Sequence, residues 1–182
     1  MCKETNKLLI NMISKKMYEN NFVLSKISLH QLIYIMQEIY SVDTNYHFKL
    51  FTYGPYSVDL TTDLDLLTEE NIININYCNG PVYFGSKIEP GDCFEELVTN
   101  NQNFLIKNSK IVDDVIRFFG KYKTKELELR SAIIYLKSQE NISKIEIIER
   151  IQIIKPYFTE SQINTAVDDV EKFLKTYYKK DC

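Results

Sequence analysis

Apolar residues recur at helical spacing through most of the chain. Between residues 7 and 17 they return every three or four positions, which predicts an amphipathic helix. A second helix is predicted to open at Ser28-Leu-His-Gln31, which has the form of a capping box, and to end near Asp43. After Pro90-Gly91 the pattern is wholly helical, and further helices are predicted over about 109–121, 124–138, 143–154 and from 159 onward.

Three stretches have the pattern of strands. Residues 47–53 alternate polar and apolar positions, and Asn79-Gly80 lies between the runs Ile72–Tyr77 and Val82–Ile88, which predicts a hairpin. Gly54-Pro55 ends the first stretch. We expect a positive φ at Gly54 and expect Pro55 to begin a third helix, whose apolar residues are Tyr56, Leu60, Leu64 and Leu67.

The order of these elements predicts the fold class. Two helices, a strand, a helix and a hairpin follow one another as in a winged helix-turn-helix. We therefore expect a mainly α protein with a small antiparallel β-wing: a winged helix-turn-helix-like part over residues 1–90 and a C-terminal helical bundle over residues 91–182, packed as one continuous globule. Whether the strand at 47–53 joins the wing is left open.

Composition and charge narrow the classes of function. The 182 residues are 45% hydrophobic and 26% charged, which is typical of a globular protein and gives a net charge of −3, so no global basic field attracts a polyanion. The apolar runs are far shorter than the roughly 18 residues that span a bilayer, and the N-terminus lacks the pattern of a signal peptide, which predicts a cytoplasmic protein. The four cysteines are widely spaced and are expected to be reduced thiols. No metal and no cofactor is predicted.

The segment Tyr53-Gly54-Pro55-Tyr56-Ser57, followed by the three leucines of the third helix, resembles the signature of the YwgA-like proteins, an uncharacterised bacterial family. That family is distantly similar to the Panacea (SocA-type antitoxin) domain. Leu32-Ile33-Tyr34, Leu127-Glu128-Leu129 and Lys155-Pro156-Tyr157 fit the same resemblance, which spans roughly residues 5–175. Because the family has no established reaction, the resemblance mainly implies the fold. Panacea domains neutralise toxins, which implies by analogy an antitoxin-like or adaptor-like role.

Residues that could support catalysis are sparse, and we expect no enzyme. His30 is expected to be a turn residue near the start of its helix rather than a catalytic base. Asp59, Asp63 and Asp65 are interpreted as a solvated helix face rather than a metal site, because divalent sites collect further ligands from elsewhere in a chain. Tyr56 is expected to anchor the third helix and Ser57 to cap it, and a small ligand at the aromatic turn is left open.

The charge of the third helix decides between two kinds of partner. Residues 43–70 contain six acidic residues and one basic residue, Lys49, so their charge is 1 − 6 = −5. In a winged helix this element enters the major groove, where a negative surface would repel phosphates. We therefore predict a non-enzymatic protein-interaction module that binds a protein partner through Asp59, Asp63 and Asp65. The alternative is a DNA-binding regulator of winged-helix type that uses basic residues outside the third helix: Arg117, Lys121, Lys123, Lys125 and Arg130. Formation of a homodimer is left open.

Overall fold

Eight helices and two short antiparallel sheets make up the part of the chain that the computed structural model describes, residues 3–79, 84–92, 95–139 and 142–178. The helices are α1 (Glu4–Glu19), α2 (Lys26–Tyr40), α3 (Val58–Glu69), α4 (Glu95–Asn100), α5 (Gln102–Phe119), α6 (Thr124–Gln139), α7 (Lys144–Ile154) and α8 (Glu160–Tyr178). The strands are β1 (Lys49–Phe51), β2 (Gly54–Tyr56), β3 (Ile73–Asn79) and β4 (Phe84–Pro90). The predicted fold class, mainly α with a small antiparallel β-wing, is confirmed.

Helix α2 is buried on nearly all sides. Leu29, Leu32, Ile33 and Ile35 have no exposed surface, and the helix packs against α5, α6, β2 and β4. A helix that is apolar around its circumference has to be covered on every side, which places α2 at the centre of the core. Within the described ranges, no helix is both long enough and apolar enough to cross a membrane.

The wing is the antiparallel pair β3–β4, as the strand pattern predicts. Its register runs from Ile73 opposite Pro90 to Asn79 opposite Phe84, while Gly80 of the predicted turn lies outside the described residues. Ile88 is buried, and its backbone N–H donates to the Leu24 carbonyl oxygen at 2.7 Å. The wing is thus fastened to the segment that leads into α2.

The start of the third helix differs from the prediction. Pro55 does not begin a helix; it lies in β2, opposite Leu50 of β1, and β1–β2 is a sheet separate from the wing. Tyr56, which we expected to anchor the helix, also lies on β2. Because the backbone of residues 54–56 pairs with β1, the helix begins only at Val58, and Ser57 is its N-cap, as expected, with its hydroxyl accepting from Leu60 N at 3.5 Å.

Helices α2 and α5 differ from the prediction in the other direction, because they start earlier in the chain than expected. Helix α2 is capped by Ser25, whose hydroxyl accepts from Ser28 N at 3.0 Å, so Ser28 lies inside the first turn. Helix α5 begins at Gln102 rather than at residue 109. The predicted starts of α7 and α8 are confirmed, and each is a capping box, since Ser143 pairs with Glu146 and Thr159 with Gln162 in both directions.

Candidate functional site: the motif turn and helix α3

The residues Thr52–Ser57, called the motif turn below, are held from behind by buried side chains. Gln31 of α2 is fully buried, and its Nε2 donates to the Tyr53 carbonyl oxygen at 2.7 Å. Lys155, which follows α7, is only 2% exposed, and its Nζ donates to the Thr52 carbonyl oxygen at 2.7 Å. Two consecutive carbonyls of the turn are therefore fixed by distant parts of the chain.

Lys155 is also one half of a buried ion pair. Its Nζ lies 2.7 Å from Oε1 of Glu128 on α6, and the side chain of Glu128 is 5% exposed. The Tyr157 hydroxyl donates to the same carboxylate. Burial, and to a smaller extent this hydrogen bond, raises the pKa of Tyr157. Taking two charges out of water is unfavourable unless both are paired and hydrogen-bonded, and here both conditions are met.

Gly54 is the point at which the motif turn lies closest to the helices. Its φ is +101°, and a Cβ built there would lie 3.1 Å from Ser131 Oγ and 3.2 Å from Gln31 Nε2. The expected positive φ is confirmed. Both the backbone conformation and the narrow gap favour a residue without a side chain.

The ring of Tyr56 is enclosed by aromatic neighbours. It stacks on His30 at a centroid distance of 4.3 Å, Phe51 meets it edge-on at 5.6 Å, and its hydroxyl accepts from Thr61 Oγ1 at 2.6 Å. His30 lies in the body of α2, and its Nδ1 accepts from Ser57 N–H at 3.2 Å. Burial, with a smaller effect of the Lys26 charge, lowers the pKa of His30 to about 4. The imidazole is therefore neutral near pH 7 and supports the start of α3.

The outer side of the same region leaves apolar side chains in solvent. Phe51, Tyr53 and Val58 are 52%, 62% and 66% exposed, and all three lie close together in the chain, within the eight residues 51–58. Tyr157 is 45% exposed beside them, with its hydroxyl 3.3 Å from the Thr52 carbonyl oxygen. Exposed aromatic residues on a firmly held backbone are a common feature of protein–protein contact sites.

The three predicted acidic residues have different surroundings on α3. Asp59 and Asp65 are exposed, with Asp59 Oδ2 3.5 Å from His47 Nδ1 and Asp65 Oδ1 4.0 Å from Lys26 Nζ. Asp63 is partly buried, and its Oδ2 accepts from the hydroxyl of Tyr46 at 2.7 Å. Because Tyr46 is 5% exposed, Asp63 has a structural role that the helical spacing alone does not reveal.

Four of the five predicted basic residues lie at the surface, where α5 ends and α6 begins. Arg117, Lys121, Lys123 and Lys125 are exposed, and Lys125 Nζ lies 4.8 Å from the ring centre of Tyr157. Arg130 does not join them. It is 7% exposed, pairs with Asp169 of α8 and stacks on Tyr122 at 3.6 Å. In the described residues, no three His, Cys, Asp or Glu side chains are grouped so that they could hold a metal ion.

Sequence reasoning missed the residues behind the motif turn: Gln31, Glu128, Ser131 and Lys155. One signal was present, because Glu128 stands between Leu127 and Leu129 and, like Lys155, lies in a segment that fits the resemblance described above. In comparisons with known proteins, no family model matches the chain. No curated protein matches it significantly either. The resemblance to the YwgA-like and Panacea proteins stays a prediction.

Proposed function

We propose that this chain is a non-enzymatic, cytoplasmic protein-interaction module, antitoxin-like or adaptor-like, that binds a protein partner through the motif turn and α3. The observation that carries the proposal is the exposure of Phe51, Tyr53 and Val58 on a backbone that buried residues hold in place. Such a surface loses little conformational entropy when a partner covers it, because the turn is already ordered.

The acidic residues of α3 add specificity to this surface. Asp59 directly follows Val58 in the first turn of the helix, and no basic residue occurs within α3. Exposed charges of one sign accelerate association with a partner of opposite charge and disfavour partners of like charge. The preferred partner is therefore a protein with a basic surface.

A DNA-binding regulator is the second candidate, and a separate observation favours it. Lys121, Lys123 and Lys125 are exposed within five residues, and the ring of Tyr122 lies 5.2 Å from Lys121 Nζ. Closely spaced lysines neutralise successive phosphates. This candidate would use the corner between α5 and α6 and not the acidic α3.

Affinity purification from the native host, with mass spectrometry and sequencing of recovered nucleic acid, tests the proposal. We expect a protein partner that is recovered with the wild-type chain and lost with Tyr53→Ala. Tyr77→Ala is the matched control, since Tyr77 is 72% exposed on the wing, which is a sheet separate from β1–β2. This control should retain the partner.

Two results would overturn the proposal. One is a set of protein partners that Tyr53→Ala and Tyr77→Ala retain equally. The other is recovery of DNA that is lost when Lys121, Lys123 and Lys125 are replaced by alanine, a result that would establish the regulator instead.

A further inference from the structure

A cleft of about 330 Å³ lies between the start of α1, the segment after α2 and the first turns of α3. Lys3, Asn6, Thr44, His47, Asp59 and Asp63 are among the residues that line it. Asp59 and Asp63 line it together with Lys3, whose Nζ is already 3.9 Å from Oδ2 of Asp43. The cleft is therefore rich in hydrogen-bond acceptors that bear negative charge.

Asn6 shows that the acceptors of this cleft are not all used. The residue is 4% exposed, and its Nδ2 donates to the Thr44 carbonyl oxygen at 3.0 Å. Its Oδ1 is buried and has no hydrogen-bond partner in the part of the chain that the structure describes. A buried amide oxygen without a donor is unfavourable, so a ligand that supplies a donor to it would gain stability from that hydrogen bond.

Asp59 and Asp63 also retain capacity to accept hydrogen bonds. An ionised carboxylate has about four lone-pair sites. Among the described residues, Asp63 accepts a hydrogen bond from Tyr46, and Asp59 Oδ2 lies 3.5 Å from Nδ1 of His47, whose side chain is 90% exposed. A cation with several N–H donors would complement these acceptors.

We propose that the cleft binds the guanidinium group of an arginine side chain on the partner protein, an inference that rests on the proposed function. The guanidinium is planar, always charged and carries five N–H donors, so one group can satisfy a carboxylate and an amide oxygen together. The cleft lies at the N-terminal end of α3, beside the exposed Val58. One partner can therefore cover the apolar residues and insert an arginine next to them.

Titration of the full chain with N-acetyl-arginine amide, followed by two-dimensional amide NMR, tests the cleft without any partner. We expect saturable shifts at Asn6, Thr44 and Asp59. The neutral analogue N-acetyl-citrulline amide should produce none, because it has a similar shape and lacks the charge. Asp59→Asn should weaken binding of the arginine probe by about tenfold, since a charge-assisted hydrogen bond is lost.

Asp65→Asn is the matched control, because Asp65 is exposed on the same helix and does not line the cleft. We expect it to change the affinity by less than about twofold. Absence of saturable shifts, equal shifts with citrulline, or equal weakening by both Asp variants would each overturn the inference. These outcomes are independent of the partner capture that tests the proposed function, so the failure of one can be told from the failure of the other.

Discussion

Gly54 is a residue whose identity is set by the backbone and by its neighbours. Its φ of +101° lies in the region that L-residues rarely adopt, and Ser131 and Gln31 leave little room for a Cβ. We expect Gly54→Val to lower the free energy of unfolding by about 1–3 kcal/mol. Urea denaturation measures this loss. Tyr53→Val is the matched control, because it introduces the same residue one position earlier at an exposed site and should change stability little. Equal stability of both variants would show that the turn tolerates a side chain at position 54.

His30 makes the stability of the fold depend on pH. Burial lowers its pKa to about 4, below the value of about 6.5 in the unfolded chain. The folded state therefore binds fewer protons than the unfolded state. The contribution of neutral His30 to the free energy of unfolding is fully present above pH 6.5 and is lost as the pH falls towards 4. Between pH 7.5 and 5.0 this amounts to about 2 kcal/mol.

When the pH is lowered from 7.5 to 5.0, we expect the free energy of unfolding of the wild-type chain to fall by about 2 kcal/mol more than that of His30→Asn. Asparagine keeps an acceptor for Ser57 N–H and cannot titrate. Carboxylates that titrate in both proteins cancel in the comparison. Parallel pH profiles for the two proteins would contradict the prediction.

At the scale of elements, local patterns predicted the helices and the wing well. Leu60, Leu64 and Leu67 form the buried face of α3, and the alternating residues of β3 and β4 pair as a hairpin. The start of α3 was predicted incorrectly, because Gly54-Pro55 has the same local preferences before a helix as in a short strand. Pairing with β1 and contacts to Gln31 and Lys155 decide the outcome, and such contacts between distant residues leave no periodic signal in a sequence.

Lys155 joins three elements that are far apart in the chain. It contacts Glu128 on α6 and Thr52 before β2, and it lies between α7 and α8. We expect Lys155→Met to lower the free energy of unfolding by about 3–5 kcal/mol, because it leaves Glu128 buried without its partner. Chemical denaturation gives this value.

The double variant Lys155→Met/Glu128→Leu separates charge from packing. It removes both charges, so we expect it to be more stable than Lys155→Met alone, with an interaction free energy of about 1–3 kcal/mol in the double-mutant cycle. Lys144→Met is the control for an exposed ion pair, since Lys144 pairs with Asp168 at the surface, and it should change stability by less than about 1 kcal/mol. Additive effects in the cycle would mean that the two buried charges act independently.

Across the whole molecule, charge is distributed unevenly over the surface. The acidic residues of α3 are only partly paired, whereas exposed lysines lie at the corner between α5 and α6. Both groups could be predicted from the positions of the charged residues along the sequence, since a run of like charges is visible without a structure. It could not predict that Arg130 is turned inward to Asp169 or that Asp63 holds Tyr46, because these pairings join different elements.

This distribution of charge predicts how fast the proposed partner binds. Asp59→Lys/Asp65→Lys changes the charge of the α3 surface by four units and leaves the Asp63–Tyr46 contact in place. We expect association with the captured protein partner to slow by about tenfold at low ionic strength, and the difference to shrink strongly near 0.5 M salt, where screening is short-ranged. Stopped-flow or surface-based kinetics measure the rate.

Asp113→Lys/Asp168→Lys is the matched control, because it changes the net charge by the same amount. It replaces two exposed carboxylates, one on α5 and one on α8, each of which pairs with a lysine. If the net charge of the whole molecule attracts the partner, both double variants should associate more slowly by the same factor. If the acidic surface of α3 attracts it, only Asp59→Lys/Asp65→Lys should associate more slowly. Equal slowing would therefore contradict a recognition role for the acidic helix.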